Sequence, residues 1–493
     1  MRRFSVTSYP CLAGKVDLLM QIPRIVISGL SGGTGKSMVS LGLTRHFYST
    51  GQTTRTFKKG PDYIDAAWMA LASNAPAGTL DPFFSTPDEL LNLFTSNMQG
   101  YSLGIIEGNR GLFDGLDLAG SCSTANLACT LKAPVILVVN CTKMTRTAAA
   151  LVHGCRTFDP NLTLGGVILN MVGTSRQEGI IRDSIETLTG VPVLGCLPRL
   201  EEPLMHEDRM GGLLCTLAPS ARQELDRVGR FVADHVDTDK VLQIATGAPA
   251  LPNPAPRKVG MQVEEVPGTR PVIGVVRDEA LWYYYEENLN ALRRAGADLA
   301  ELSLLGNAPW PHIDGLYLGG GQPEAFAAEI AANGERRQHI HDLALAGLPV
   351  YAEGGGFNVL SREMVIKGTT YPMCGVFPHS VVFTDRPLGL GYTEGFTLEE
   401  TPFYPKGTQI RGHEFHLSRC WQNSEITVNP VLGLTRGKGL LGVSAPESTP
   451  YATPDRPHTG FDGLHANNAF GCYTHIFAPA VPHWAENFVA LCR

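Results

Sequence analysis

Gly29-Leu30-Ser31-Gly32-Gly33-Thr34-Gly35-Lys36-Ser37 lies between a short apolar run, Ile25-Val26-Ile27, and a segment with apolar residues at helical spacing, Met38, Val39, Leu41 and Leu43. The glycines therefore fall at a strand-to-helix turn, the context that a GxxxxGK[ST] phosphate loop requires. In such a loop successive backbone N–H groups, here from Gly29, Gly32, Gly33, Thr34 and Gly35, turn toward phosphate oxygens. Lys36 then supplies a point charge at the β- and γ-phosphates, and the Ser37 hydroxyl is a ligand for Mg²⁺. The positive end of the helix that begins here adds to the anion site. ATP and Mg²⁺ are the expected ligands.

Outward from this loop, apolar strand-like runs alternate with helical segments from Ile22 to about Gln243. The runs are Ile25–Ile27, Thr53–Phe57, Leu103–Ile106, Val135–Val139, Val167–Leu169 and Val191–Leu194. The intervals are long enough for crossover helices, which predicts an α/β fold with a parallel sheet covered on both faces. Ligands on such a sheet collect at the carboxyl ends of the strands.

Polar clusters follow those strands. Phe57-Lys58-Lys59-Gly60-Pro61-Asp62-Tyr63-Ile64-Asp65 begins at the end of the second run. Glu107-Gly108-Asn109-Arg110-Gly111-Leu112-Phe113-Asp114-Gly115 begins at the end of the third. A carboxylate after a strand is needed to hold Mg²⁺ beside the phosphate loop, and Glu107 has that position. Lys58, Lys59 and Arg110 are natural partners for a carboxylate or phosphate. Asn170 ends another run, where its amide could read an adenine edge or simply form a turn.

Composition narrows the class. The chain has 493 residues, enough for two or three domains, with 43 % apolar and 18 % charged residues, as in ordinary soluble globular proteins. A net charge of −7 gives no reason to expect nucleic acid or an anionic membrane as partner. The 11 cysteines show no CxxC pairs, so reduced thiols in a cytoplasmic protein are expected rather than zinc ribbons or disulfides. No run reaches the roughly 18 apolar residues of a membrane span. Lys15 and Asp17 interrupt any signal-peptide core, so residues 1–21 read as a poorly ordered extension.

The segment Ala248-Pro249-Ala250-Leu251-Pro252-Asn253-Pro254-Ala255-Pro256 can form neither a helix nor an inner strand. It marks a linker over 246–270 between a first domain at 22–245 and a second at 271–493. In the second, Val272–Val276 and Leu316–Leu318 read as strands, and Tyr351 to Leu360 as a strand-turn-helix on Gly354-Gly355-Gly356. Phe470–Phe477 reads as one short strand carrying His475. Gly412-His413-Glu414-Phe415-His416 is expected to turn both histidines to one side of a strand, in a structural or substrate-contacting role, since a third metal ligand is not apparent.

In these residues taken together, the chain resembles the cobyrinic acid a,c-diamide synthase family from about residue 22 to 490. The resemblance rests on Gly29 to Ser37, on Phe57 to Asp65, and on Glu107-Gly108 with Gly111-Leu112-Phe113-Asp114-Gly115. It rests also on Tyr283-Tyr284-Tyr285-Glu286-Glu287-Asn288-Leu289, Gly319-Gly320-Gly321-Gln322-Pro323-Glu324 and Gly412 to His416. It implies a dethiobiotin-synthetase-like ATP-dependent domain joined to a class I glutamine amidotransferase domain. The implied activity is phosphorylation of peripheral tetrapyrrole carboxylates followed by their conversion to amides, with nitrogen from glutamine. Asp62, Tyr63 and Asp65 would place substrate and ATP, Glu107 would hold Mg²⁺, and Asp114 would act near the acyl phosphate. A homodimer is compatible with this reading.

Two departures stand out. The family's Tyr-Ala-Glu-Cys-Gly-Gly turn reads Tyr351-Ala352-Glu353-Gly354-Gly355-Gly356 here, so the nucleophile is lost while the matching histidine, His475, is kept. Without a thiol no glutamyl thioester can form. Direct use of ammonia, ammonia from another protein, or a domain kept for binding are the expectations that follow. Cys472 and Cys374 are the substitutes to weigh. Second, Asn109-Arg110 and Tyr473-Thr474-His475-Ile476 are similar to relatives associated with dissimilatory sulfite metabolism, which makes sirohaem the alternative substrate and nickel-sirohydrochlorin a third. From another class, a partition or metal-chaperone ATPase would carry an early second lysine where Leu30-Ser31 stands.

Overall fold

Neighbouring residues along the inner strands of the first half serve two different cores. In a computed structural model, which describes residues 19–202, 204–205, 220–252, 269–421, 429–440 and 459–493, Val26, Ile106 and Leu137 join one cluster, while Ile25, Ile27, Ile105 and Ile136 join another. A strand that alternates in direction yet is apolar at every position must be buried on both faces, which is why these runs are continuous rather than alternating. Each such side chain contributes about 1.5–3 kcal/mol on burial.

The strands are β1 Arg24–Gly29, β2 Thr54–Lys58, β3 Ala77–Thr79, β4 Leu103–Glu107, β5 Val135–Asn140, β6 Leu164–Val172 and β7 Val193–Pro198. They form one seven-stranded sheet in the order β3-β2-β4-β1-β5-β6-β7, parallel throughout. All six expected runs are in it, the last beginning at Val193 rather than Val191. The edge strand β3 was not expected, because Ala77-Gly78-Thr79 lacks the β-branched density of its neighbours. Helix α1, Lys36–Ser49, leaves the phosphate loop, and α2, Tyr63–Ser73, leaves the Asp62 loop.

The second half carries a six-stranded sheet built from β8 Val272–Val276, β9 Asp298–Leu302, β10 Gly315–Leu318 and β11 Val350–Glu353, completed by two later strands. Helix α3, Glu286–Arg294, precedes β9, and α4, Gly355–Leu360, follows β11 at once. An antiparallel sheet lies in the same half, with β12 Gly389–Thr397, β13 Gln409–His416 and β14 Leu432–Arg436.

The expected single strand at Phe470–Phe477 is two. Strand β15, Ala469–Cys472, pairs with β11, whereas β16, His475–Ile476, pairs with β13 in the other sheet. Tyr473 and Thr474 turn the chain between them, with both backbone N–H groups donating to the Asp462 carboxylate at 3.0 and 2.9 Å.

The extension and linker are joined where they are described. Leu19–Met20 pairs antiparallel with Leu251–Pro252, and Gln21 donates to the carbonyls of Thr246 and Ala248. The buried Arg24 guanidinium donates to Pro249 O at 2.6 Å. Prolines remove donors but not acceptors, so the start of the Pro-rich segment can serve as a row of carbonyls. The remainder of the extension (1–18) and of the linker (253–268) lies outside the described residues. Among the described residues no helix is long and apolar enough to cross a membrane.

Candidate active site

The ends of β1, β2 and β4 bring the first set of polar residues together. Glu107 lies opposite Ile27 of β1 on one side and Lys58 of β2 on the other. Ser37 Oγ donates to Glu107 Oε1 at 2.8 Å, and Lys58 Nζ donates to the same oxygen at 2.9 Å. Lys58 also pairs with Asp65 and stands 3.9 Å from Asp62. Asp62 caps α2, accepting the backbone N–H of Asp65 at 3.0 Å.

This is a cluster of one ammonium and three carboxylates, with Lys58 and Glu107 buried and Asp62 and Asp65 partly exposed. Burial alone would lower the Lys58 ammonium, but Glu107, Asp65 and Asp62 outweigh it and raise it. Burial pushes the Glu107 carboxyl up to about 7 against the pull of Lys58. Glu107 Oε2 is buried with no hydrogen-bond partner. An orphaned carboxylate oxygen beside the Ser37 hydroxyl is the donor set that a hard cation such as Mg²⁺ takes, so Ser37 and Glu107 fit the metal expected there.

The phosphate loop is open above Gly32 and Gly33, where an added Cβ would meet nothing within 4 Å. Gly35 has φ +93° and lies against Asn170, leaving no room for a side chain. Lys36 Nζ donates to Ser31 O at 3.0 Å, and burial lowers its ammonium. The loop carrying Arg110 and Asp114 crosses directly over the phosphate loop, with Leu112 N donating to Gly29 O at 2.8 Å. Asp114 accepts Gly111 N at 2.8 Å, and Arg110 is exposed.

Two expected contacts are otherwise employed. Lys58, expected to meet a substrate carboxylate or phosphate, instead neutralises the protein's own acids, because it is the cation buried among them. Asn170, read as either an adenine contact or a turn former, donates to Thr34 O at 2.8 Å and accepts Met171 N at 2.9 Å, so its amide holds the phosphate loop in place.

In the second half, Gly354 joins β11 to α4 with φ +49°, a conformation that glycine adopts without strain. A Cβ there would stand 2.5 Å from His475 Nε2, and one on Gly320 would stand 2.3 Å from the same ring. The imidazole therefore fills the volume of a side chain at 354. His475 Nδ1 lies 3.7 Å from Glu353 Oε2, and that carboxylate is held by Tyr317 OH at 3.0 Å and Ile476 N at 3.1 Å.

His413 and His416 face opposite sides, contrary to expectation: residues three apart on a strand differ in direction by its period of two. His413 stacks on His475 at 4.9 Å and bonds Tyr285 OH at 3.1 Å. His416 stacks on Tyr473 at 3.9 Å. Among the described residues no group of three His, Cys, Asp or Glu could hold a metal. Cys472 Sγ donates to Thr474 O, and burial raises its thiol well above the usual range; burial pushes Cys374 up to about 12. Neither is a thiolate in waiting.

The halves meet at Tyr63. Its ring stacks on Tyr283 at 4.9 Å and lies 5.5 and 5.8 Å from the rings of His413 and His475. The preceding residue, Asp62, belongs to the acidic cluster, so consecutive residues at the start of α2 touch both the cluster and the His475 ring.

With this geometry in view, residues 25–205 match the CobQ/CobB/MinD/ParA nucleotide binding domain family, and residues 272–481 match the CobB/CobQ-like glutamine amidotransferase domain family. The chain is 36 % identical to a cobyrinate a,c-diamide synthase of Magnetococcus marinus over 94 % of its length and 96 % of the relative's. It is 35 % identical to the one of Archaeoglobus fulgidus, covering 96 % of this chain and 98 % of that one. The chain belongs to the cobyrinate a,c-diamide synthase family. A Methanosarcina barkeri synthase is also similar, at 34 % identity over 96 % of both.

Three further buried carboxylates carried no role in the sequence analysis. Glu353 immediately precedes the glycine turn, a signal that was present in Tyr351-Ala352-Glu353-Gly354. Asp81 accepts Tyr392 OH at 2.6 Å across the two halves, and Glu287 Oε1 accepts Thr79 N at 2.9 Å. Both pairs are more than 200 residues apart in sequence, and no local pattern joins them.

Proposed function

We propose that this chain amidates acetate carboxylates of a cobyrinate-type tetrapyrrole at the expense of ATP, through an acyl phosphate, and that it takes its nitrogen as ammonia. The first domain, 22–245, activates the carboxylate, and the second, 271–493, receives the nitrogen source. The observation that carries the reading is the turn between β2 and α2, where Asp62 joins the acidic cluster and the next residue, Tyr63, makes an aromatic contact with His475.

A carboxylate is a poor electrophile, and phosphorylation supplies a leaving group. Bringing a phosphoryl group to an anion concentrates negative charge, and Mg²⁺, when bound by Ser37 and Glu107, would screen it. Lys36 opposes the same charge from the phosphate loop. Asp62 and Asp65, kept in place by Lys58, orient the substrate and ATP, and Asp114 lies on the loop that covers the phosphates. Arg110, which is exposed, offers a cation to the ring's other carboxylates. The nitrogen assignment is supported by Gly354 and by the absence of a reactive thiol beside His475 among the described residues.

Incubation with ATP, Mg²⁺ and cobyrinate, with ammonium chloride or glutamine, tests this by product mass. An amide from ammonium alone is expected, and ATP turnover with no amide from either source would contradict it.

A further inference from the structure

We propose that His475, backed by Glu353, is the base that converts ammonium to ammonia for the amidation. The inference rests on the ammonia reading above and deepens it.

In a thiol-dependent site the imidazole removes a proton from the nucleophile. Here that nucleophile is absent, yet the acceptor is complete. His475 is 1 % exposed, its Nδ1 is buried without a hydrogen-bond partner, and Glu353 stands 3.7 Å away to balance an imidazolium. Two independent bonds, from Tyr317 OH and Ile476 N, fix that carboxylate. The ring stands at the glycine turn itself, with Nε2 where the missing side chain would begin. The titratable groups that face it are Glu353 from β11, His413 from β13, and Tyr63 from α2, with Tyr285 bonded to His413.

A proton acceptor without a thiol needs a substrate that brings its own proton. Ammonium does, and it has no lone pair with which to attack until that proton leaves. Tyr63 and Asp62 are consecutive, with Cα atoms about 3.8 Å apart, so one short segment touches both the His475 ring and the acidic cluster.

The step balances. An N–H bond of ammonium breaks, its proton passes to neutral His475 Nε2, and ammonia and imidazolium result. The ammonia nitrogen then bonds the acyl carbon, the carbon–oxygen bond to phosphate breaks, and phosphate leaves with the surplus proton. Imidazolium returns its proton to solvent.

The test compares the full-length protein with His475→Gln and Glu353→Gln, using ammonium chloride as the nitrogen source and varying pH at fixed total ammonium. Without the base, the rate follows the free-ammonia fraction and falls about tenfold for each pH unit below the ammonium pKa. The expected result is that the unsubstituted protein falls far less steeply, that His475→Gln takes on the tenfold-per-unit slope, and that Glu353→Gln lies between. Unfolding midpoints of the three proteins show that the variants are folded. If the unsubstituted protein itself tracks free ammonia, a result that needs no variant, the role of His475 is overturned while the ammonia reading stands. If ammonium yields no amide at any pH and glutamine does, both are overturned.

Discussion

His475 Nε2 lies 2.5 Å from the point where a Cβ on Gly354 would stand, so the histidine occupies the place of the side chain it would otherwise activate. Restoring that side chain is not a simple reversal. Gly354→Cys must both hold a side chain at φ +49° and displace a buried ring. We expect a stability loss of about 1–3 kcal/mol and no glutamine-dependent amidation. Glutamate release measured on the purified variant checks this, and sustained release with amide formation would contradict it.

Lys58 is the shared cation of Asp62, Asp65 and Glu107. Lys58→Met leaves three carboxylates facing one another, with Glu107 buried and the two aspartates partly exposed. The loss should be about 3–5 kcal/mol, as for breaking a buried pair by removing one partner. Urea unfolding measures it. A change under about 1 kcal/mol would mean that the cluster is more open to water than its burial indicates.

Lys36→Ala should reduce ATP-dependent amide formation by roughly 100-fold or more, because one preorganised charge on the transferring phosphoryl group is removed. The Lys36 ammonium bonds a loop carbonyl and no carboxylate, so folding should change little. Normal ATP turnover in this variant would refute the assignment of the phosphate loop.

Glu287 joins the halves by accepting Thr79 N, and burial pushes its carboxyl from 4.5 up to about 7. Between those pH values the folded protein holds a proton that the unfolded chain has released. Stability therefore falls as pH rises from about 4.5 to about 7, and the deficit persists above. Glu287→Gln keeps the acceptor and removes the charge, so it should flatten that slope and stabilise the protein above pH 7 by up to about 3 kcal/mol. Unfolding midpoints of both proteins at about pH 5 and about pH 8 decide it, and parallel slopes would contradict it.

The parallel sheet of the first half could be read from Ile25, Ile105, Val138 and their neighbours, because strands buried on both faces are apolar at every position. That the glycine-rich loop and Glu107 follow strands was legible for a related reason: strand ends are local. The short edge strand at Ala77 was not legible, nor was the division of Phe470–Phe477 between two sheets, which depends on Asp462 holding the turn from outside. The placing of His413 and His416 on one face was a miscount of the strand period. Tyr63 against His475, Tyr392 on Asp81 and Glu287 on Thr79 are contacts between halves, and only folding brings such residues together. The pairing of Lys58 with Asp62, Asp65 and Glu107 joins β2 to the start of α2 and the end of β4, and only folding sets the last of these beside it.

The central claim is that the first half activates a carboxylate for a nitrogen that does not come from glutamine bound as a thioester. The most direct measurement is the mass of the tetrapyrrole product after incubation of the purified protein with ATP, Mg²⁺ and cobyrinate, using nitrogen-15 ammonium beside unlabelled glutamine. Amide nitrogen that is wholly labelled, with no glutamate released, is the predicted result. Unlabelled amide with one glutamate released for each amide formed would contradict it.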